Sequence, residues 1–299
     1  MNWASKFSKA IRLLALYPAI SHLPMGAAYA LARFISPMDR AFRTSYMAQW
    51  KQGIQRINTK KQLVPASKLD ACVKEHLAML SWEAVDTCLV PRLTPERMKT
   101  LSRISGLEHI REALKLKKGL IIVTSHFCRL NMTAYTLGHL GIKNGILSQV
   151  VDKDNPHLDW VDRIYLTKKL QHYYRLTGGT GLTLKDNPRL IYRALERNEI
   201  MVILMDAFPH TIRNFYEVPF LGGTLKLPKG IARISQRTGA PLVYSVVKPR
   251  SEWKVSVELR PINGTGEEGF RESCKELEKD VKALPCQWWQ WPYMHTMWN

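Results

Sequence analysis

The chain has 299 residues, of which 45% are apolar and 9% aromatic, enough to build a sizeable packed core. This composition argues against a disordered chain, because disordered chains lack the apolar residues whose burial offsets the entropy lost on ordering. Forty-four Lys and Arg residues against 25 Asp and Glu residues give a formal net charge of +19, which favours an anionic partner.

Three kinds of anionic partner fit this charge: nucleic acid, an anionic membrane surface and an acidic carrier protein. The sequence has no zinc-finger spacing, RRM signature or basic region followed by heptads, so nucleic acid is the least favoured. The five cysteines are scattered and form no C-x-x-C pair, which predicts reduced thiols in a cytosolic protein. No signal-peptide cleavage pattern follows the apolar stretch near the start, so we expect the active domain on the cytoplasmic side of a membrane.

The first 40 residues are predicted to form a membrane-associating segment. Residues 13–32 carry no Asp, Glu, Lys or Arg, and basic side chains flank them on both sides. Their length suits a membrane span, but Pro18, His22 and Pro24 interrupt it. We therefore predict a broken or interfacial helical anchor, with basic ends facing anionic headgroups. The alternative is a pair of core helices joined at residues 21–24.

The remaining residues, 41–299, are predicted to form one domain, helical over 41–118 and α/β over 119–299. Three prolines are expected to interrupt the helices: Pro65, Pro91 and Pro95. Three short apolar runs predict buried strands at 120–124, 200–205 and 242–247. Helical patterns at 188–197 and 227–237 precede the second and third runs. This alternation predicts an α/β fold with a mainly parallel central sheet flanked by helices.

Two further segments have a recognisable pattern. Residues 253–260 alternate between apolar and polar side chains, which predicts a strand covered on one face and lying near an edge of the sheet. The glycines of residues 178–181 lack the spacing of a phosphate-binding loop, so we predict a flexible turn there.

A histidine lies two residues beyond the first predicted strand, at the start of residues 126–131 (HFCRLN). In open α/β sheets, ligands bind beyond the carboxyl ends of the strands. His126 is therefore predicted to face a substrate. The alternative is a structural histidine whose hydrogen bonds are satisfied inside the protein.

Residues 126–131 resemble the His-Phe-x-x-Leu-Glu motif of the bacterial lipid A late acyltransferases, a variant of His-x4-Asp/Glu, except at the last residue. Four more segments are similar to the family in the same order along the chain: residues 154–159 (DNPHLD), Asp206, residues 218–220 (VPF) and residues 285–291 (PCQWWQW). The resemblance extends from about residue 100 to the C-terminus. It implies a fold like that of the glycerolipid acyltransferases.

The resemblance implies a membrane-bound acyltransferase on the cytoplasmic face of the bacterial inner membrane. The fatty acyl group would move from a thioester of acyl carrier protein or coenzyme A to a hydroxyl or amine of a lipid-like acceptor. His126 would act as the general base, and the acid that closes the motif would orient its ring and stabilise the imidazolium. The thioester is a co-substrate, and no other cofactor and no metal are expected.

Asn131 replaces the acid of the motif. Its amide can fix the histidine ring but cannot neutralise the imidazolium, and Asn131→Glu is then expected to preserve or improve activity. Asp206 would supply the charge if the ends of its strand and of the first strand are adjacent. The alternative is that Asp206 forms loop hydrogen bonds near Phe208 and Pro209.

Two alternatives stay within the family. Asn131, and Val151 where the family commonly has arginine, favour a diverged member that acylates a specialised glycolipid or a secondary metabolite. The missing acid favours a catalytically silent relative that binds a carrier or a membrane. A third alternative is chemical: Cys128 could attack the thioester and form an acyl-enzyme with His126 as its base.

Several basic residues are predicted to bind anionic parts of the substrates. Arg129 follows the histidine, and Lys185 and Arg189 match basic positions of the family. Four more fall on one stripe of the predicted helix near 227–237: Lys226, Lys229, Arg233 and Arg237. The alternative for this stripe is an ordinary solvated face. The tryptophans near the C-terminus predict either a buried clasp or a belt at the membrane interface.

Overall fold

The computed structural model describes residues 3–153, 155–207 and 214–299. Seven strands form the central sheet: β1 (Ser102–Ser105), β2 (Leu120–Thr124), β3 (Asn144–Ser148), β4 (Gly178–Thr183), β5 (Ile200–Leu204), β8 (Leu242–Ser251) and β9 (Lys254–Pro261). A separate antiparallel hairpin consists of β6 (Phe215–Phe220) and β7 (Gly223–Pro228). The strand order in the sheet is β1-β9-β8-β2-β5-β3-β4, and only the β8–β9 pair is antiparallel. The predicted α/β fold with a mainly parallel sheet is confirmed.

The three apolar runs form the centre of this sheet, as predicted. Every residue of β2 is buried because β5 and β8 pair with it on either side and helices cover both faces. Thr124 and Leu204, the last residues of β2 and β5, lie opposite each other in register. The residues that follow these two strands therefore meet at one edge of the sheet. Strand β9 alternates in burial as predicted and lies next to the edge strand β1.

The sequence did not predict β1, β3 or β4. The glycines predicted as a flexible turn form β4, so that prediction was wrong. A Cβ at Gly179 would lie 2.2 Å from the carbonyl carbon of Asn144, and one at Gly181 would lie 2.3 Å from the ring of Tyr174. Glycine is needed here because the backbone of β4 approaches its neighbours too closely for a side chain.

Besides short 3₁₀ turns, fourteen helical segments surround the sheet in the described residues: α1 (Trp3–Ala10), a π-helical segment (Ile11–Leu16), α2 (Tyr17–Ile20), α3 (Met25–Phe42), α4 (Thr44–Asn58), α5 (Leu69–Leu89), α6 (Pro95–Leu101), α7 (Leu107–Lys115), α8 (Met132–His139), α9 (Trp160–Thr177), α10 (Arg189–Glu196), α11 (Gly230–Thr238), α12 (Gly266–Ala283) and α13 (Met294–Met297).

The three predicted proline interruptions are confirmed. Pro65 precedes the 3₁₀ turn before α5, Pro91 lies in the turn that ends α5, and Pro95 begins α6.

The N-terminal helices pack against α5. The chain turns at residues 21–24, Tyr17 donates to Ser81 at 3.0 Å, and the buried Tyr29 stacks on Trp253 at 5.2 Å between ring centroids. This packing agrees with the alternative of two core helices. The opposite side of the segment is apolar and exposed: Trp3 is 77% exposed and Phe34 is 81% exposed. Within the described ranges, no helix is long and apolar enough to cross a membrane.

A disulfide joins Cys72 of α5 to Cys286 near the C-terminus, with their Cα atoms 5.1 Å apart. The prediction that all five cysteines are reduced was therefore wrong for this pair. The two residues are 214 positions apart, and only the tertiary fold brings them together. Cys88, Cys128 and Cys274 are free thiols, of which the last two are buried.

Candidate active site

His126 lies two residues after β2, and Asp206 lies two residues after β5. The imidazole Nδ1 of His126 is 2.8 Å from Oδ1 of Asp206. The His126 side chain is 28% exposed, whereas that of Asp206 is fully buried. The pair forms because β2 and β5 are neighbouring parallel strands, so both residues emerge at the same edge of the sheet.

The carboxylate of Asp206 is surrounded by hydrogen-bond donors. Besides the ring of His126, the backbone N–H of His126 donates to both oxygens at 2.9 and 3.0 Å. The indole N–H of Trp288 donates to Oδ2 at 2.9 Å. A fully buried carboxylate needs such donors, because an unpaired buried charge is strongly unfavourable.

These contacts favour one tautomer of His126. An ionised carboxylate only accepts hydrogen bonds, so Nδ1 must carry the proton that it shares with Asp206. Gln290 Nε2 lies 2.9 Å from the same nitrogen, and one of its two amide hydrogens is donated to the backbone oxygen of Asp206 at 2.7 Å. The lone pair of the imidazole is therefore on Nε2. In this tautomer the ring can accept a proton at Nε2 while Asp206 stabilises the resulting imidazolium.

Asn131 does not contact this pair in the described part of the structure, which corrects the prediction that it orients the ring. It lies immediately before α8, and its amide donates to Oε1 of Glu83 at 3.1 Å. Glu83 also forms an ion pair with Lys169. The loop of residues 126–131 turns Asn131 towards α5, and Asp206 is the acidic neighbour of the ring instead.

Arg129 is buried and already paired, so the prediction that it handles substrate anions was wrong. Its guanidinium donates to both carboxylate oxygens of Asp86, with the Nε–Oδ2 distance 2.6 Å, and to the hydroxyl of Tyr29 at 2.9 Å. Burial alone would lower the pKa of Arg129, but the charge of Asp86 raises it above its ordinary value. A buried guanidinium requires such a partner, and this pair ties the loop after His126 to α5.

Cys128 is placed unfavourably for nucleophilic catalysis. Its side chain is buried, and burial raises the pKa of its thiol to about 12. The thiolate is the nucleophilic form, so this cysteine would be unreactive near neutral pH. The location of Cys128 thus favours the interpretation as a packing residue.

The predicted basic stripe does not lie on one helix. Lys226 belongs to β7, where it pairs in register with Glu217, and Lys229 precedes α11 with its ammonium 4.7 Å from the ring centroid of Tyr216. Only Arg233 and Arg237 lie within α11, where both are exposed. The predicted helix began too early because residues 223–228 pair with β6 as a strand.

The other predicted basic residues lie on other elements. Lys185 follows β4 and forms an ion pair with Asp152 at 2.7 Å. Arg189 begins α10 and is exposed. In the segment that resembles the family at residues 154–159, Asp154 lies outside the described residues. Asp159 accepts from the backbone of Asp162 at 3.0 Å and caps α9.

The C-terminal tryptophans form the buried clasp that was one of the two predicted alternatives. Trp288 and Trp291 are fully buried, and Trp298 is 2% exposed. The sequence did not assign Trp288 or Gln290 to the site, although both contact Asp206. The sequence feature that could have pointed to these two residues is the resemblance of residues 285–291 to a family segment. That resemblance does not indicate which of its residues lie near the histidine.

A partly exposed histidine backed by a buried carboxylate, at the carboxyl edge of a mainly parallel sheet, defines an α/β protein with a side-chain pair that is chemically able to carry out acid–base chemistry. The chain belongs to the bacterial lipid A biosynthesis acyltransferase family, whose model matches residues 14–298. The family predicted from the sequence is confirmed. The chain is also similar to the lipid A biosynthesis acyltransferase of Haemophilus influenzae, with 26% identity over 159 residues. This match spans 52% of the chain and 46%, or about half, of that relative.

Proposed function

We propose that the chain transfers a fatty acyl group from a thioester of acyl carrier protein or coenzyme A to a hydroxyl or amine of a lipid-like acceptor. The observation that carries this proposal is the contact between Nδ1 of His126 and the buried carboxylate of Asp206. It provides a half-exposed imidazole with its free nitrogen available to a substrate. Membership of an acyltransferase family gives the reaction class.

In the proposed reaction, Nε2 of His126 removes the proton of the acceptor hydroxyl as its oxygen attacks the thioester carbonyl carbon. A C–O bond forms, the C–S bond breaks, and the imidazolium returns its proton to the departing thiolate. Asp206 holds the ring in the productive tautomer and stabilises its charge between the two steps. No covalent acyl-enzyme is needed, in agreement with the burial of the Cys128 thiol.

The proposed site of action is the cytoplasmic face of the bacterial inner membrane, with the apolar side of the N-terminal helices in contact with the bilayer. Exposed Trp3, Phe7 and Phe34 support this contact, because large apolar side chains on a basic surface suit an anionic interface. We further propose that Lys226, Lys229 and Arg233 bind the anionic donor, and Lys185 and Arg189 the acceptor or lipid phosphates. Their positive charge supports this assignment, and Lys185, Arg189 and Arg233 are exposed.

The proposal is tested by measuring thiol release and lipid acylation with two probes: lauroyl-acyl carrier protein and lauroyl-coenzyme A. Each is combined with a lipid A precursor that has free hydroxyls. His126→Ala and Asp206→Asn should each lower turnover by roughly 10²-fold or more. His109→Ala is the matched control, because the His109 side chain is 31% exposed and that of His126 is 28% exposed. Full turnover by a folded His126→Ala protein would refute the proposal.

A further inference from the structure

The chain segment at residues 287–290 runs alongside the histidine loop and bonds to it at several points. The backbone N–H of Trp289 donates to the carbonyl of His126 at 2.9 Å, and that of Cys128 donates to the carbonyl of Gln287 at 2.8 Å. Phe127 and Trp288 form an antiparallel β-bridge. The C-terminal segment thus fixes the backbone of residues 126–128.

Trp288 continues this attachment to the carboxylate. Its indole N–H donates to Oδ2 of Asp206 at 2.9 Å, whereas the ring of His126 contacts the other oxygen, Oδ1, at 2.8 Å. The two contacts use different oxygens, so the indole prevents the carboxylate from rotating away from the imidazole. Hydrogen bonds to an ionised acceptor are about twice as strong as neutral ones, which makes this donor effective.

The indole itself is held rigidly. Trp288 is fully buried, with its ring 4.9 Å from that of Trp291 and 5.4 Å from that of Phe220. The segment before it is tied to α5 by the disulfide of Cys286 and by the amide of Gln287, which donates to Glu75 at 2.7 Å. A donor fixed in this way holds Asp206 in the geometry that the ring requires.

We propose that Trp288 is a positioning residue, whose indole N–H holds the Asp206 carboxylate in place for His126. This inference rests on the proposed function, because it assigns Trp288 a role in the same proton transfer. It differs from a purely packing role in one respect. The N–H group, and not the volume of the ring, accounts for the effect on the reaction.

Trp298 provides a matched control within the same clasp. Its indole N–H donates to the backbone oxygen of Phe220 at 2.7 Å, and the side chain is 2% exposed. Trp298→Phe therefore removes a buried indole hydrogen bond, and it reduces the ring volume by the same amount as Trp288→Phe. It does not remove any hydrogen bond to Asp206. A general loosening of the clasp would affect the two variants alike.

The test compares kcat and KM for Trp288→Phe, Trp298→Phe, Asp206→Asn and His126→Ala with the lauroyl thioester probes and the lipid A precursor. Trp288→Phe should lower kcat about 10-fold or more with little change in KM, because the lost interaction serves the transition state. Trp298→Phe should keep kcat within about 2-fold of the wild type. In the Asp206→Asn background, Trp288→Phe should have little further effect.

A second variant separates the donor from the packing. Replacing the indole of Trp288 with benzothiophene by incorporation of 3-benzothienylalanine keeps the ring shape and removes only the N–H. The same loss of kcat is expected, which keeps the test decisive if Trp288→Phe fails to fold.

Each outcome affects a defined part of the account. Wild-type kcat in a folded Trp288→Phe or benzothienylalanine protein, or an equal loss in Trp298→Phe, would overturn the positioning role while His126→Ala remains inactive. Full activity of His126→Ala would instead overturn the proposed function and the positioning role with it.

Discussion

At the residue scale, the site depends on which acidic side chain lies beside His126. The sequence placed His126 and Asp206 after two predicted strands, and the contact between them follows once β2 and β5 are neighbours. The direction of Asn131 could not be predicted in the same way. It depends on where α8 begins and on the position of α5, which supplies Glu83, 48 residues away in sequence.

Asn131 therefore has a different expected mutational effect from the one the motif suggests. Asn131→Ala should leave turnover within about 5-fold of the wild type, because the residue contacts Glu83 and not the ring. Asn131→Glu should lower the free energy of unfolding by about 1–3 kcal/mol, because it places a second carboxylate beside Glu83. Kinetics and urea denaturation of both variants check these expectations.

Two results would contradict this interpretation of Asn131. One is a loss of turnover in Asn131→Ala as large as that in Asp206→Asn. The other is a gain of both activity and stability in Asn131→Glu, which would restore the role that the motif implies. Glu83→Gln combined with Asn131→Glu serves as the control, since it removes the expected repulsion.

At the element scale, local sequence pattern predicted the central strands and failed at the elements whose formation depends on distant partners. Strands β2, β5 and β8 are continuous apolar runs, which are typical of a parallel sheet covered on both faces. Strand β4 is rich in glycine and forms because β3 lies beside it. The last two residues of β7 were predicted as the start of a helix because the pairing of β7 with β6 is not visible in its own sequence.

The attachment of the C-terminal clasp to α5 includes a buried histidine. His76 has ring contacts to the hydroxyl of Tyr46 at 2.9 Å and to the backbone oxygen of Cys286 at 3.0 Å. Burial lowers the pKa of His76 to about 3, from an ordinary value of 6.5. Between these two pH values the unfolded chain binds a proton at this residue that the folded chain does not.

Stability should consequently fall as the pH is lowered. Because the unfolded state binds more protons between about pH 6.5 and pH 3, His76 lowers the free energy of unfolding by roughly 1.4 kcal/mol per pH unit in that interval. Urea denaturation of the wild type and of His76→Gln at pH 7.5 and pH 4.5 measures this contribution. On going from pH 7.5 to pH 4.5, the free energy of unfolding of the wild type should fall by about 2–3 kcal/mol more than that of His76→Gln. A difference that does not change with pH would contradict the neutral, buried state of His76.

At the scale of the whole molecule, composition predicted an anionic partner but not the surface that meets it. The charge of +19 is spread over elements whose arrangement only the fold defines. In the same way, the apolar N-terminal segment predicted membrane contact, whereas the structure divides it into a buried side and an exposed side. Its buried side includes Tyr29, which contacts Asp86 and Trp253, so removing the whole segment would disturb the core.

The exposed apolar side of the N-terminal helices is expected to bind anionic bilayers. Replacing Trp3, Phe7 and Phe34 together with Ser should reduce sedimentation with vesicles containing anionic lipid and leave the thermal stability almost unchanged, because these side chains are exposed. Leu116→Ser is the control, since Leu116 is 58% exposed and lies at the end of α7, outside the N-terminal helices. Equal binding of the triple variant and the wild type would contradict a membrane contact at this surface.

The basic residues around α11 are expected to dock an acidic donor. Reversing Lys229 and Arg233 to Glu should raise the KM for lauroyl-acyl carrier protein and weaken its dependence on salt, with little change in kcat. Lys115→Glu, on α7, should leave the KM unchanged because this lysine is already paired with Glu112 of its own helix. A loss confined to kcat would exclude donor docking at Lys229 and Arg233.

The central proposal is that the chain transfers an acyl group to a lipid, with His126, backed by Asp206, as the general base. Mass spectrometry of lipids from cells that express the wild type, His109→Ala or His126→Ala tests it most directly, because it needs no prior choice of acceptor. The first two proteins should produce a lipid that is heavier by one fatty acyl group, and His126→Ala at equal abundance should produce none. Accumulation of that lipid to the wild-type level with His126→Ala would contradict the account.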